Sequence, residues 1–245
     1  VAAVTFEAIC TETLQGLGED PTEPVYYSAG DASQAVNWAQ RLFVLLTLCL
    51  ETSDTLTLTA VTTWYSVRTQ ISDWLFPLRL EYAGAKLRPA RLSELDALDS
   101  AWQAAPGDPS RYAALGLDLV ALYKQPGSTA SLTATYAKAP VRMTGALDVP
   151  EIPEAYHGVL PGAAIALARL REGGQEMTKA QPLLRPFWAA AQEVARYTRQ
   201  RSLDLRYDRI PPELDRFDLS RLLAIEKKRT PWLTTSDTRK DPESS

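Results

Sequence analysis

Histidine and cysteine are almost missing from this chain. His157 stands alone, and Cys10 and Cys49 are the only thiols in 245 residues. One histidine excludes a His-rich metal site and leaves at most one His-based nucleophile relay. Both cysteines sit in apolar helical patterns, where a thiol acts as a small hydrophobe. No disulfide is expected, and the chain reads as one made in a reducing cytoplasm. No G-x-S-x-G, C-x-x-C, Walker or G-x-G-x-x-G pattern occurs. Gly16-Leu17-Gly18 lacks a strand before it and a third glycine, so it is no nucleotide loop. Asp148 and Glu151 are a pair of carboxylates that suits capping of the helix after them better than acid–base work. His157 falls in the first turn of that helix, where a structural hydrogen bond is expected. No catalytic residue, metal ligand or cofactor site is therefore assigned, and the chain is not read as an enzyme.

Long hydrophobic runs are also missing. The longest, Leu42 to Leu50, is broken by Thr47 and flanked by Arg41 and Glu51. It falls far short of a membrane span. The first residues, Val-Ala-Ala-Val-Thr-Phe-Glu, show neither a basic nor an apolar leader region, so no secretory signal is expected.

What is present is the balance of a globular protein, with 45% hydrophobic and 23% charged residues. The formal net charge of −4 hides a gradient. Residues 1–150 hold 10 basic and 16 acidic side chains, net −6, whereas residues 196–245 hold 12 and 9, net +3. A body of this sign repels nucleic acid, and a DNA-gripping protein would carry a basic stripe instead. The tail suits docking on an acidic surface.

The hydrophobic period changes twice along the chain. Residues 4–15 predict a short helix with Thr5 as cap and Gly16 and Gly18 as its end. Residues 31–52 predict a long helix, with Asp31 and Gln34 as a capping box. On its wheel Trp38, Ala39, Leu42, Phe43, Leu45 and Leu46 share one half. Val44 and Leu48 fall on the other half, as a small apolar spot suited to a second domain or a neighbouring subunit. From Thr55 the period becomes two. Strands are expected at 55–59, 64–68, 74–82, 86–91, 112–115, 117–123 and 131–136, with Pro77 marking an edge or a bulge. Leu95, Leu98 and Trp102 line a short helix at 93–104. Trp64, Trp74, Trp102, Tyr112 and Tyr136 are expected to fill a small β core. Helical pattern returns at Pro153, runs to Gly173-Gly174, and resumes from Thr178 to Ser202 despite Pro182 and Pro186. The fold class is thus α+β: a helical bundle (1–54 plus 146–202), an inserted small β domain (55–145) and an extended C-terminal arm (203–245). That arm has too little apolar surface to fold alone, yet too many spaced apolar residues for a solvated tail, so it is expected to order on a partner.

The order of these features resembles the head-to-tail adaptor, or connector, proteins of tailed bacteriophages, of the portal-proximal kind with a β domain inserted into a helical bundle. The residues that carry the resemblance begin with Asn37-Trp38-Ala39-Gln40-Arg41. Trp74, Pro77-Leu78-Arg79, Leu92, Leu95, Leu98, Asp99 and Trp102 follow. Gly107, Pro109, Tyr112, Gly116, Leu122-Tyr123, Pro126, Tyr136 and Pro140 come next. The run closes with Ile152-Pro153-Glu154-Ala155-Tyr156-His157 and Leu160. It covers roughly residues 30–200.

The resemblance implies a structural virion protein of the portal vertex, or neck, assembled in the bacterial host cytoplasm. Such adaptors form a ring, usually of twelve copies, between the portal protein and a tail or nozzle protein. Double-stranded DNA passes through the ring without sequence-specific binding, and no membrane is involved. The resemblance also implies that the C-terminal arm reaches the portal. Within residues 203–232, Arg206, Arg209 and Arg221 suit carboxylates on the portal. Tyr207, Phe217, Leu222, Leu223 and Trp232 suit its pockets. Val44 and Leu48 are the expected ring contact between identical subunits. The competing readings are another neck or tail-completion ring protein, a nucleic-acid-binding module, and an enzyme with a cryptic site. The acidic body disfavours the second, and the missing motifs disfavour the third.

Overall fold

In the computed structural model of the protein, residues 4–116 and 118–214 are described. Contacts group the chain into two units, Val1–Pro212 and Glu213–Ser245, and every described helix and strand lies in the first. The fold is α+β.

Helix α1 spans Phe6–Leu17. Thr5 caps it by accepting from the Ala8 N–H at 3.4 Å, and Gly18 ends it at φ 90°, a torsion glycine adopts without a Cβ penalty. Gly16 is not a terminator as expected. It lies inside the helix against the next layer, where a Cβ would sit 2.2 Å from the Ile165 side chain. Helix α2 spans Ala29–Thr47, two residues earlier at its start and five shorter at its end than the pattern suggested. The capping box is formed by Ser28 and Asp31, not by Asp31 and Gln34. The Ser28 hydroxyl accepts from the Asp31 N–H at 3.1 Å, and the Asp31 carboxylate accepts from the Ser28 N–H at 3.2 Å.

Leu48, at φ 49°, closes α2, and the chain passes into strand β1, Glu51–Leu58. Strand β3, Trp74–Tyr82, has the expected bounds, and β2 Trp64–Ser66, β6 Arg111–Leu115, β7 Leu119–Tyr123 and β8 Ala130–Lys138 follow with shifted ones, but the single strand expected at 86–91 is two short ones in different sheets, β4 Ala85–Lys86 and β5 Arg88–Pro89. Helix α3, Leu92–Leu98, stands between β5 and β6. Two four-stranded sheets result, in the orders β1-β8-β3-β4 and β2-β7-β6-β5. Between β3 and β8 the register shifts twice, the second time between Pro77 and Arg79. Proline cannot feed a ladder, and the bulge beside it leaves Leu78 out of register. Leu56, Leu80, Leu132 and Tyr136 of one sheet and Tyr65, Tyr112 and Leu122 of the other share a single buried cluster, with Trp74 stacked on Tyr136 at 4.9 Å. Trp102 is buried in a small adjoining cluster with Leu95, and Leu98 points outward.

After a 3-10 turn at Glu154–Val159 come helices α4, Leu160–Glu172, and α5, Gly174–Asp204. Gly173, at φ 73°, is the single residue between them. Helix α4 lies against α1, α2 and α5. It buries Ala163, Ala164, Ala166 and Ala168, and Gly162 faces the Leu183 carbonyl at 3.6 Å from a built Cβ, so these helices approach closely. Pro182 and Pro186 lie within α5 on its exposed side, and each removes one backbone N–H donor from the helix.

The helices share a second buried cluster centred on Phe43, whose ring meets Phe187 at 5.6 Å and Tyr156 at 5.8 Å. Leu75 of β3 belongs to this cluster and its neighbour Trp74 to the sheet cluster, because successive strand side chains point to opposite faces. Phe43→Ala is expected to destabilise the protein by about 3–5 kcal/mol, read from urea unfolding with unchanged slope.

Candidate docking surfaces

The outer side of α2 differs from its wheel. Val44 is fully buried and Leu48 is 8% exposed, both within this chain's own core. Neither can offer its side chain to a neighbour, which corrects their assignment as a ring contact. Trp38 (47%) and Leu45 (46%), placed on the inward half by the wheel, are instead exposed one above the other. Nine of the ten residues from Arg41 to Leu50 are not acidic or basic, so the pattern alone allowed more than one inward face.

The segment that returns from β8 to α4 is bound along α2 by two side-chain amides. Asn37 accepts from the Met143 N–H at 2.8 Å and donates to the Met143 carbonyl at 3.0 Å and the Ser33 carbonyl at 2.9 Å. Gln40 donates to the Val141 carbonyl at 3.2 Å and accepts from the Glu151 N–H at 3.1 Å. This gives Asn37 and Gln40, which stand in the resemblance run, a physical reason. The same segment serves α1: the Phe6 N–H donates to the Asp148 carbonyl at 2.7 Å and the Glu7 N–H to the Ala146 carbonyl at 3.1 Å. Two donors that a helix start leaves open are thereby satisfied.

Asp148 and Glu151 do not cap the following helix as expected. Asp148 accepts from the Thr144 and Gly145 N–H groups, each at 2.7 Å, and those bonds hold its carboxyl below the ordinary carboxylate range. Glu151 accepts from the Val141 N–H at 3.0 Å and pairs with Lys138 at 2.9 Å. The buried His157 makes the expected structural contact, Nε2 to the Ile152 carbonyl at 2.8 Å.

The arm residues divide between two regions. Phe217, Arg221, Leu222, Leu223 and Trp232 lie outside the described residues. Arg206, Tyr207 and Arg209 lie in a turn that packs on the first sheet, so these first residues of the expected arm are held by the chain's own contacts. The Leu78 carbonyl, freed by the bulge in β3, accepts from the Asp208 N–H at 3.1 Å. Lys86 pairs with Asp208 at 2.7 Å and donates to the Arg206 carbonyl at 2.9 Å. The Tyr207 hydroxyl donates to Glu51 at 3.2 Å, and burial, with the Glu51 charge, raises its pKa. The Arg209 guanidinium lies 4.8 Å above the Phe76 ring. Long-range backbone contacts of this kind have no sequence pattern.

Behind this turn, Tyr112 is buried, and its hydroxyl has no hydrogen-bond partner among the described residues. Burial, with the Asp208 charge adding to it and Arg209 opposing, pushes that hydroxyl well above its ordinary value. Among the described residues no group of three metal-ligating side chains occurs, and no helix is long and apolar enough to cross a membrane.

Two measurements check this geometry. Asn37→Ala is expected to cost about 1–3 kcal/mol and to speed exchange of the Met143 amide. The Asp148 contacts are expected to respond to acid. A carboxyl lowered by folding adds stability above its ordinary pKa of about 3.9 and loses it as pH falls through the lowered value. The Thr144 and Gly145 amide shifts should therefore titrate together below that pH.

No curated protein matches the chain. A family model described as SU10 adaptor protein matches residues 5–209, a stretch that takes in all five described helices and both sheets. The chain therefore belongs to the SU10 adaptor protein family and is a structural adaptor of a bacteriophage.

Proposed function

We propose that this adaptor forms a ring, of twelve copies as the resemblance suggests, that joins the portal to the tail at the virion neck and lets the viral duplex pass through its centre. The observation that carries this reading is the family match over residues 5–209. The charge gradient supports it. With net −6 over residues 1–150, the body repels phosphate, which suits a conduit that DNA must not stick to. The helical part (1–54 plus 146–202) and the inserted β part (55–145) are proposed as its two working domains. In support, they hold separate buried clusters, joined at Trp74 and Leu75.

Portal binding is proposed to reside in the arm. Arg221, Phe217, Leu222, Leu223 and Trp232 supply its charge and its anchors, and the exposed Arg206 adds a cation near its root. Tyr207 and Arg209 contribute by fixing where the arm leaves the body. Each arm binds weakly on its own, and a ring multiplies the contact. A neighbouring copy is proposed to meet α2 at Trp38 and Leu45, the side chains that remain exposed there. The tail or nozzle protein is the partner below.

Truncation after Pro212 is expected to leave a folded protein that no longer co-sediments with portal-containing heads. Equal co-sedimentation would remove the arm from the portal contact. Leu45→Asp is expected to change stability by less than about 0.5 kcal/mol while blocking ring incorporation. Cryo-microscopy of virions distinguishes the runner-up: density for this chain in a ring away from the portal would make it another neck or tail-completion protein.

A further inference from the structure

We propose that the cleft between β6 and the start of α3 is a docking groove for an extended acidic segment of a partner protein, which adds to β6 as a short strand through the backbone of Ala114. Strand β7 accompanies β6 along its whole length on one side, but β5 covers only Arg111 and Tyr112 on the other. On that second side the Arg88 N–H donates to the Ser110 carbonyl at 3.1 Å and the Ala90 N–H to the Tyr112 carbonyl at 2.8 Å. Backbone groups alternate along a strand, so the N–H and C=O of Ala114 point the same way. There the neighbouring strand has ended. Pro89 has no N–H to donate, and the chain turns at Arg91, whose own N–H is taken by the Glu94 carboxylate at 3.1 Å. The space left is a cleft of about 590 Å³ in which Ala114 and Leu115 are half-buried. A half-sheltered donor and acceptor with no strand beside them among the described residues form an edge that another chain can complete.

Charge selects the class of occupant. Arg91 and Arg209 line the cleft, and the exposed Arg88 stands beside it on β5. Among the described residues Glu94 is the one carboxylate in the lining, and it is already engaged by the Arg91 amide. Guanidinium groups pair bidentately with carboxylates. Tyr112, buried with its unpartnered hydroxyl, belongs to the same lining. Phosphates would also attract these arginines, but a duplex backbone carries no N–H at strand spacing for the Ala114 carbonyl. The observations therefore favour a peptide over nucleic acid. The groove lies apart from the proposed contact on α2 and shares Arg209 with the root of the arm, and it stands whether or not the ring reading holds.

The probe is a capped hexapeptide of alternating glutamate and valine, titrated into isotope-labelled full-length protein. Binding is expected to slow exchange of the Ala114 amide about fivefold. Arg91→Glu and, as a second variant on a different element, Arg88→Glu are each expected to weaken binding about tenfold, with thermal unfolding checked for both. A lysine–valine peptide and an N-methylated acidic peptide should leave the Ala114 amide unchanged. The proposal is overturned if the acidic peptide does not protect Ala114 at millimolar concentration. Equal protection by the lysine peptide, unchanged binding by both folded variants, or protection of the same amide by a short DNA duplex would also overturn it.

Discussion

Two side-chain amides, those of Asn37 and Gln40, hold this fold to its return path. The chain leaves the helices at the end of α2, builds eight strands, and must come back to start α4 beside the helix it left. The segment that brings it back has no regular structure until Glu154, so its backbone groups need partners from elsewhere. Asn37 and Gln40 provide four of these bonds from α2, and the segment in turn caps the start of α1. Neither residue could be replaced by an apolar one of similar size without stranding backbone donors and acceptors.

The helices close over this crossing because their facing residues are small. Alanines of α4 and the glycines at 16 and 162 let four helices approach, and Phe43 of α2 meets Phe187 of α5 and Tyr156 of the 3-10 turn within their shared cluster. Strand β3 ties the two cores together. Trp74 enters one and Leu75 the other, so a shift of a single residue in that strand would exchange them and ruin both.

Reading the sequence captured what is local and periodic. Strand β3 runs from Trp74 to Tyr82 as its alternation requires, and the irregularity at Pro77 follows from the missing N–H. The helix bounded by Thr5 and Gly18 follows from its caps. The inward side of α2 was misread because its second half is apolar nearly all round, and only the positions of α4 and α5 decide which residues are covered. The contacts that hold the first residues of the expected arm were not legible for a related reason. Residues 205–209 are held by Leu78, Lys86 and Glu51, more than a hundred positions away, and they carry no periodic signal of their own. The open side of β6 was invisible for the same reason, since a strand's neighbours are a property of topology.

The single glycine between α4 and α5 has a mechanical consequence. A 31-residue helix extends roughly 45 Å, and at Gly173 it has no linker with slack to absorb a load. Force applied along α5 reaches α4 both through the torsions of Gly173 and through the face the two helices share, and α4 rests in turn on α1 and α2. The pair therefore behaves as a beam set in a socket. An added residue at the joint would turn α5 by about 100° about its own axis, and the face that now packs inward would point to water.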